Sequence, residues 1–243
     1  MCGRYAQSAD MRELMEQFEV TGASPSKSLP ANWNIAPTNP IYIVRADSLD
    51  NDHRALTTLS WGMIGPWLTN IQDARSSQSR AINARSESIH EKPTFRHAFK
   101  STRCLIPAQG YYEWATAFGK YSPKQPFYIT AKDRTQLPIA GIWSSWSAPN
   151  GETIESASII TQAAQGELVE IHSRMPVFMP RDRWNEWLSP HVREIESLKS
   201  LMRLDSPASI VVAHPVGRAV NSVANNGPEL TIEIALGMRE TLF

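Results

Sequence analysis

Apolar and polar positions recur along this chain with two different periods. Met11, Leu14, Met15 and Phe18 follow the i, i+3, i+4, i+7 spacing of one helix face, which predicts an amphipathic helix over 10–20 with Ser8 or Asp10 as its cap. Pro180, Asp182, Trp184, Trp187 and Leu188 predict a short capped helix that buries two indoles, and Val192, Ile195, Leu198 and Leu201 a further helix behind it. A helical turn is expected near 166–172. Between these lie short runs suited to strands, at 41–44, 56–61, 104–106, 111–114, 126–130, 139–143, 157–160 and 210–212. Turn residues separate the runs, and the regular strand–helix alternation of a doubly wound sheet is absent. The pattern predicts an α+β fold: a single domain with a mixed or antiparallel, barrel-like β-sheet and a few flanking helices.

Length and composition sharpen this in three ways. The chain has 243 residues, of which 42% are hydrophobic, enough for one sizeable core. The nearest linker candidates, 22–28 and 148–152, read as ordinary loops, so residues 1–243 are expected to form one domain. No apolar run approaches the roughly 18 residues a membrane span needs, and the N-terminal Met-Cys-Gly-Arg-Tyr-Ala-Gln has no apolar signal core. A cytoplasmic, monomeric protein is the expectation, with Cys2 and Cys104 as thiols rather than a disulfide. Neither the two cysteines nor His53, His90, His97, His191 and His214 show metal-ligand spacing, so no metal and no cofactor are expected. Formal net charge is zero, yet 75–103 holds seven Lys/Arg (Arg75, Arg80, Arg85, Lys92, Arg96, Lys100, Arg103) against Glu87 and Glu91, a local +5. Such a stripe binds phosphate through its local field, or is simply a solvated face.

Candidate chemistry begins at Cys2. A small second residue suits methionine aminopeptidase, and loss of Met1 leaves a thiol beside a free α-amine. Reference pKa values of about 8.5 and about 8 give both groups a reactive fraction near neutrality. This 1,2-aminothiol condenses with an aldehyde and closes to a thiazolidine, or serves as nucleophile and base toward an acyl carbon; a cysteine at position 2 is otherwise an accident of a frayed terminus. Glu113, in Gly110-Tyr111-Tyr112-Glu113-Trp114, is a carboxylate among aromatics and a candidate acid/base, or else a solvent-facing residue of an alternating strand. His172 is a candidate proton carrier, with Arg174 two residues on available to an anion; a lone histidine is more often structural. If 81–87 is extended, Asn83 and Arg85 share one face, an amide to hold an amine and a guanidinium for phosphate. Otherwise Asn83 is a cap and Arg85 a surface residue ahead of a helix-like stretch from Glu87. Trp67, on the Gly65-Pro66 turn, either stacks on bases or packs at a loop. Asn34-Ile35-Ala36-Pro37-Thr38 reads as a turn of no evident role.

Taken together, Met1-Cys2-Gly3-Arg4, Asn34–Thr38, Trp61-Gly62, Ile82-Asn83-Ala84-Arg85-Ser86-Glu87, Gly110–Trp114, His172-Ser173-Arg174-Met175-Pro176 and His214-Pro215-Val216 closely resemble, in order, the motifs of the SOS-response-associated peptidase (SRAP) family of abasic-site processing proteins. The resemblance implies a protein that meets abasic sites in single-stranded DNA and crosslinks to them through Cys2, working at the nucleoid without a cofactor. It implies that Asn83 positions the Cys2 amine, that Glu113 and His172 move protons, and that Arg4, Arg85 and Arg174 bind phosphates while Trp67 stacks. The peptidase label implies autocatalytic removal of the residue before Cys2. Two departures stand out: Gly65-Pro66-Trp67 replaces the family's Pro-x-Trp order, and Ala224-Asn225-Asn226-Gly227 lacks the family's Lys-Asn pair. A glutamine amidotransferase also opens Met-Cys-Gly, usually followed by Ile rather than Arg4, and a non-covalent single-strand binding module would use the stripe and Trp67 alone.

Overall fold

The protein is described here by a computed structural model covering residues 2–47, 53–116 and 120–236. In chain order the main elements are β1 (Tyr5–Gln7), α1 (Met11–Gln17), β2 (Asn32–Ile35), β3 (Pro40–Ala46), β4 (Arg54–Trp61), α2 (Ile71–Gln78), β5 (Asn83–Arg85), α3 (Arg96–Ser101), β6 (Arg103–Ala108) and β7 (Gly110–Trp114). There follow β8 (Pro126–Ala131), β9 (Leu137–Ser147), β10 (Thr153–Ala163), β11 (Arg174–Pro176), α4 (Trp184–Leu188), α5 (Ile195–Met202) and β12 (Val211–Pro215). β3 pairs with β4 and β6, β6 with β9, β9 with β10, and β10 returns to β4, closing a five-stranded barrel. Each pairing is antiparallel except β4–β10, which is parallel. A second sheet, β12-β8-β7-β1-β2, is antiparallel throughout. The α+β, barrel-like expectation matches this architecture.

Each barrel strand is buried on both faces, which explains why the sequence shows unbroken apolar runs rather than alternation. Ile41, Ile43, Cys104, Ile106, Ile139 and Ile159 join Tyr5, Ile35, Tyr111 and Ile129 of the second sheet in one cluster. The intervening Tyr42, Val44, Leu105, Ile142 and Ile160 pack with Leu14, Phe18, Phe99, Trp184, Trp187 and Leu198 of the helices. Helix α1 starts where its cap predicts: Asp10 and Glu13 form a reciprocal capping box, with bonds of 2.8 and 3.0 Å. Phe18 stacks on Trp184 at 5.1 Å, so the apolar stripe of the first helix meets the paired indoles expected near 184–188.

Strand β10 is the spine on which the site is hung. Its first half lies in the barrel; its second half carries β5 on one edge, with Asn83 opposite Ile159, and β11 on the other, with Arg174 opposite Ala163. The extended reading of 81–87 therefore holds at Asn83–Arg85, while the helix expected from Glu87 begins only at Arg96. Three further expectations are corrected. Asn34 and Ile35 belong to β2, and only the residues after them turn, with Thr38 at φ +72°. Arg103 leaves the basic stripe: it is 2% exposed and donates to the carbonyls of Trp187, Phe99 and Ser189, capping otherwise open carbonyls at the ends of α3 and α4. Strand β1 and helix α2 were absent from the periodicity, the first because it is too short and the second because it has almost no apolar stripe. Among the described residues both cysteines are free thiols, and no helix is long and apolar enough to cross a membrane.

Candidate active site at the N-terminus

Residues 2–4 lead into β1, the strand between β2 and β7 in the second sheet. Pairing sets Tyr5 opposite Tyr111, and the Tyr112 amide donates to the Arg4 carbonyl at 2.9 Å, so the N-terminus runs alongside the end of β7 that carries Glu113. From β5, Asn83 Nδ2 donates to the Cys2 carbonyl at 2.8 Å. From the turn before β11, His172 Nδ1 lies 4.0 Å from Glu113 Oε1. That turn is tied to β7 by the Thr116 amide, which donates to the Ile171 carbonyl at 3.0 Å. Cys2, Asn83, Glu113 and His172, spread over 171 positions of sequence, thus meet in one place.

Electrostatics divides the roles among them. Cys2 is fully buried, and burial together with the nearby Glu113 charge holds its thiol well above the ordinary range. Burial likewise pushes the Glu113 carboxyl up to about 7, so it gives and takes a proton near neutrality. Burial pulls His172 below its ordinary value and keeps it neutral at that pH. Its Nδ1 accepts from the Arg174 amide at 3.0 Å, which places the neutral ring's proton on Nε2. Asn83 Oδ1 is buried and has no hydrogen-bond partner among the described residues. An idle amide oxygen next to residue 2 is an acceptor positioned for an N–H at that end of the chain.

The four DNA-binding candidates fall into two kinds. Arg85 and Trp67 are exposed, Trp67 by 56%, and neither side chain makes a hydrogen bond or close ion pair among the described residues, although the Arg85 charge helps hold the Glu87 carboxyl below its ordinary range. Arg174 is instead clamped: its two terminal nitrogens meet the Glu87 carboxylate at 2.6 and 2.9 Å, and one also donates to the Thr161 carbonyl at 2.7 Å. Arg4 donates to Asn34 Oδ1 at 2.7 Å and to the Val220 carbonyl at 2.9 Å, with its guanidinium 5.9 Å from the Trp114 ring. Glu87 was missed as a partner because nothing local marks a carboxylate whose counter-charge lies 87 residues away.

Several motif residues act as scaffolding for the site. Trp61, fully buried, donates its indole N–H to the Ile82 carbonyl at 3.0 Å and meets Tyr5 edge-on at 5.3 Å, so one side chain registers both β5 and β1. Gly62 follows at φ +118°, and a Cβ there would sit 2.3 Å from the Gln78 carbonyl oxygen; only glycine fits. Asn34, 3% exposed, donates to the carbonyls of Ser222 at 2.9 Å and Asn225 at 2.8 Å while accepting from Arg4. It fastens the segment after β12 onto β2. Asn226, in the stretch that lacks the family's lysine, accepts from the Trp33 amide at 2.8 Å and extends that clasp. Among the described residues no group of three His, Cys, Asp or Glu side chains could hold a metal ion.

Comparison with known proteins agrees with this architecture. The chain is similar to the abasic site processing protein YoqW of Bacillus subtilis, 34% identical over 230 residues that span 95% of this chain and 98% of that one. It is 32% identical over 211 residues to the abasic site processing protein HMCES of Xenopus tropicalis, spanning 79% of this chain and 61% of HMCES. A solved protein of Bacteroides thetaiotaomicron shares the fold at a TM-score of 0.82, 24% identity, 96% coverage of this chain and 100% of that one. One from Bordetella bronchiseptica matches at 0.73 and 28%, with 89% and 100% covered. The profile of the SOS response associated peptidase (SRAP) family matches residues 1–223, and the chain belongs to that family.

Proposed function

We propose that this protein processes abasic sites in single-stranded DNA by forming a covalent thiazolidine between Cys2 and the ring-opened sugar. The reading rests above all on one observation: Asn83 grips the Cys2 carbonyl at 2.8 Å with its Oδ1 idle among the described residues, and Glu113, pushed up to about 7, lies close enough for its charge to act on the Cys2 thiol. It is supported by the names of the curated relatives, abasic site processing proteins.

Met1 leaves first, by hydrolysis of its peptide bond to Cys2, and frees the α-amine. The Asn83 oxygen orients that amine's N–H, so its lone pair faces the sugar aldehyde. Attack forms the C–N bond, and loss of water gives the imine; protonated Glu113 supplies the proton that the departing hydroxyl needs. The Cys2 thiol then passes its proton to the Glu113 carboxylate, its sulfur adds to the imine carbon while the nitrogen still carries its remaining amine proton as the iminium, and the C=N electron pair returns to that nitrogen to leave the neutral ring. His172, neutral with Nε2–H outward from the Arg174 contact, donates to the sugar oxygen. Arg85 and Trp67 hold the flanking strand by charge and stacking. Arg4 offers a phosphate only the nitrogens not held by Asn34 and Val220, and Arg174 reaches one by exchanging it for Glu87, anion for anion.

The test is incubation of the processed protein with an abasic single-stranded oligonucleotide, followed by denaturing electrophoresis. A band that survives denaturation is expected, absent with Cys2→Ala and absent when a tag precedes Cys2. Persistence of the band in both controls overturns the mechanism.

A further inference from the structure

A cavity of mixed apolar and polar lining opens just past the Trp61-Gly62 motif, from Met63 onward. The Met63 amide donates to the Ala81 carbonyl at 3.0 Å, so the cavity floor begins two residues before Asn83. Its volume is about 570 Å³, ample for one nucleoside. Met63, Pro66, Leu68 and Trp146 make flat apolar walls, and Arg96, His97 and Ser144 bring charge and hydrogen-bonding groups to the same space. This mixture, apolar surfaces with a few converging polar groups, is the usual make-up of a small-ligand pocket.

Three details say what it would take. The 66–68 turn is held over the cavity by the Trp146 indole, which donates to the Leu68 carbonyl at 2.9 Å. Trp67 on that turn lies against Gly65, where a Cβ would come within 2.7 Å of its ring, and stands at the rim largely exposed. Ser144 Oγ is buried with no hydrogen-bond partner among the described residues, an unmet donor and acceptor in the wall. The stripe supplies exposed cations: Arg80, Arg85, Lys92, Arg96 and Lys100 are all exposed, none has an ion-pair partner among the described residues, and Arg96 lines the cavity. Arg75 and Arg103 drop out of the stripe, the first paired with Glu152 at 2.6 Å and the second buried. What remains is a set of exposed cations between Arg80 and Lys100, of which Arg85 ends the Asn83–Arg85 strand and Arg96 lines the cavity.

We propose that this cavity is a nucleobase subsite: it takes the base of a nucleotide flanking the lesion, with phosphates on Arg85 and Arg96 and the base edge on Ser144 and His97. The inference rests on the abasic-site reading above and extends it from the reacting sugar to its neighbour in the strand. It is tested with single-stranded oligonucleotides carrying a tetrahydrofuran abasic analogue, which has no aldehyde, so binding is read without crosslinking. Lengthening the flank on one side should tighten binding about tenfold, the scale of one base–aromatic contact. Deleting one particular flanking base, by a second tetrahydrofuran at that position, should remove the gain. Ser144→Phe, which fills the cavity wall without changing charge, and Arg96→Glu should each collapse the long-to-short affinity ratio toward one. A gain that survives every single-base deletion, or a ratio lost in Arg96→Glu but kept in Ser144→Phe, leaves only phosphate contacts and overturns the subsite. Failure of the Cys2-dependent band with the true abasic oligonucleotide overturns the parent reading instead, so the two failures are told apart.

Discussion

Two asparagines in this molecule sit in family motifs, meet the N-terminal segment, and do opposite things. Asn34 spends its whole amide: its nitrogen bonds three carbonyls of the segment after β12, at Val220, Ser222 and Asn225, and its oxygen takes Arg4. Asn83 spends half: its nitrogen bonds Cys2 and its buried oxygen is idle among the described residues. A saturated buried amide is a rivet, because every group removed leaves a partner unsatisfied. A half-used one is held at some cost in stability, and such a group belongs where a reaction partner will complete it. The same contrast separates Arg174, clamped by Glu87, from Arg85, which is open.

The sharpest way to break the comparison is at Glu113, the buried carboxyl of the reactive half. Glu113→Gln should slow crosslinking about 10²- to 10⁴-fold, the usual worth of a general acid–base, measured by quenched time points on denaturing gels. It should also stabilise the protein. A carboxyl held at about 7 when folded, against about 4.3 in an unfolded chain, binds an extra proton in the native state between those values. Wild-type stability from this group is therefore full below about pH 4.3 and lost as pH rises through 7. The variant's advantage in unfolding free energy, read from denaturant titrations, should be near nothing at pH 4 and grow to at most about 4 kcal/mol by pH 8. An advantage that shrinks with rising pH contradicts the assigned burial.

The two asparagines give the next effect, and they should part ways. Asn34→Ala should cost about 2–3 kcal/mol of stability by orphaning Arg4 and the clasped carbonyls, with the folded fraction still crosslinking at close to the wild-type rate. Asn83→Ala should change stability by less than about 1 kcal/mol and lower the crosslinking rate about tenfold or more at saturating DNA. Equal losses of stability in the two variants erase the distinction between rivet and half-used amide. The smallest effect separates the arginines. Arg85→Gln should reduce the slope of log affinity against log salt by about one counter-ion, whereas Arg174→Gln should change that slope less, since Glu87 already neutralises it.

Much of the reaction centre was legible in the sequence. Position 2 for a cysteine, the aromatic frame of Glu113, the extended Asn83–Arg85 pair and the order of the motifs are all local facts, and the fold brings Cys2, Asn83, Glu113 and His172 together. Helix α1 and the strands of the barrel follow from capping and apolar runs for the same reason: their causes lie within a few residues. What only the tertiary structure decided is which polar residues are spent. Arg4 and Asn34 are tied to carbonyls some 186 to 216 residues away, Arg174 to a carboxylate 87 away, and Arg103 disappears beneath the last turn of α4. A free guanidinium and a satisfied one are identical in sequence. They differ in which distant carbonyl or carboxylate the barrel's closure brings within 3 Å, and that geometry turns a motif's charges into either scaffold or binding surface.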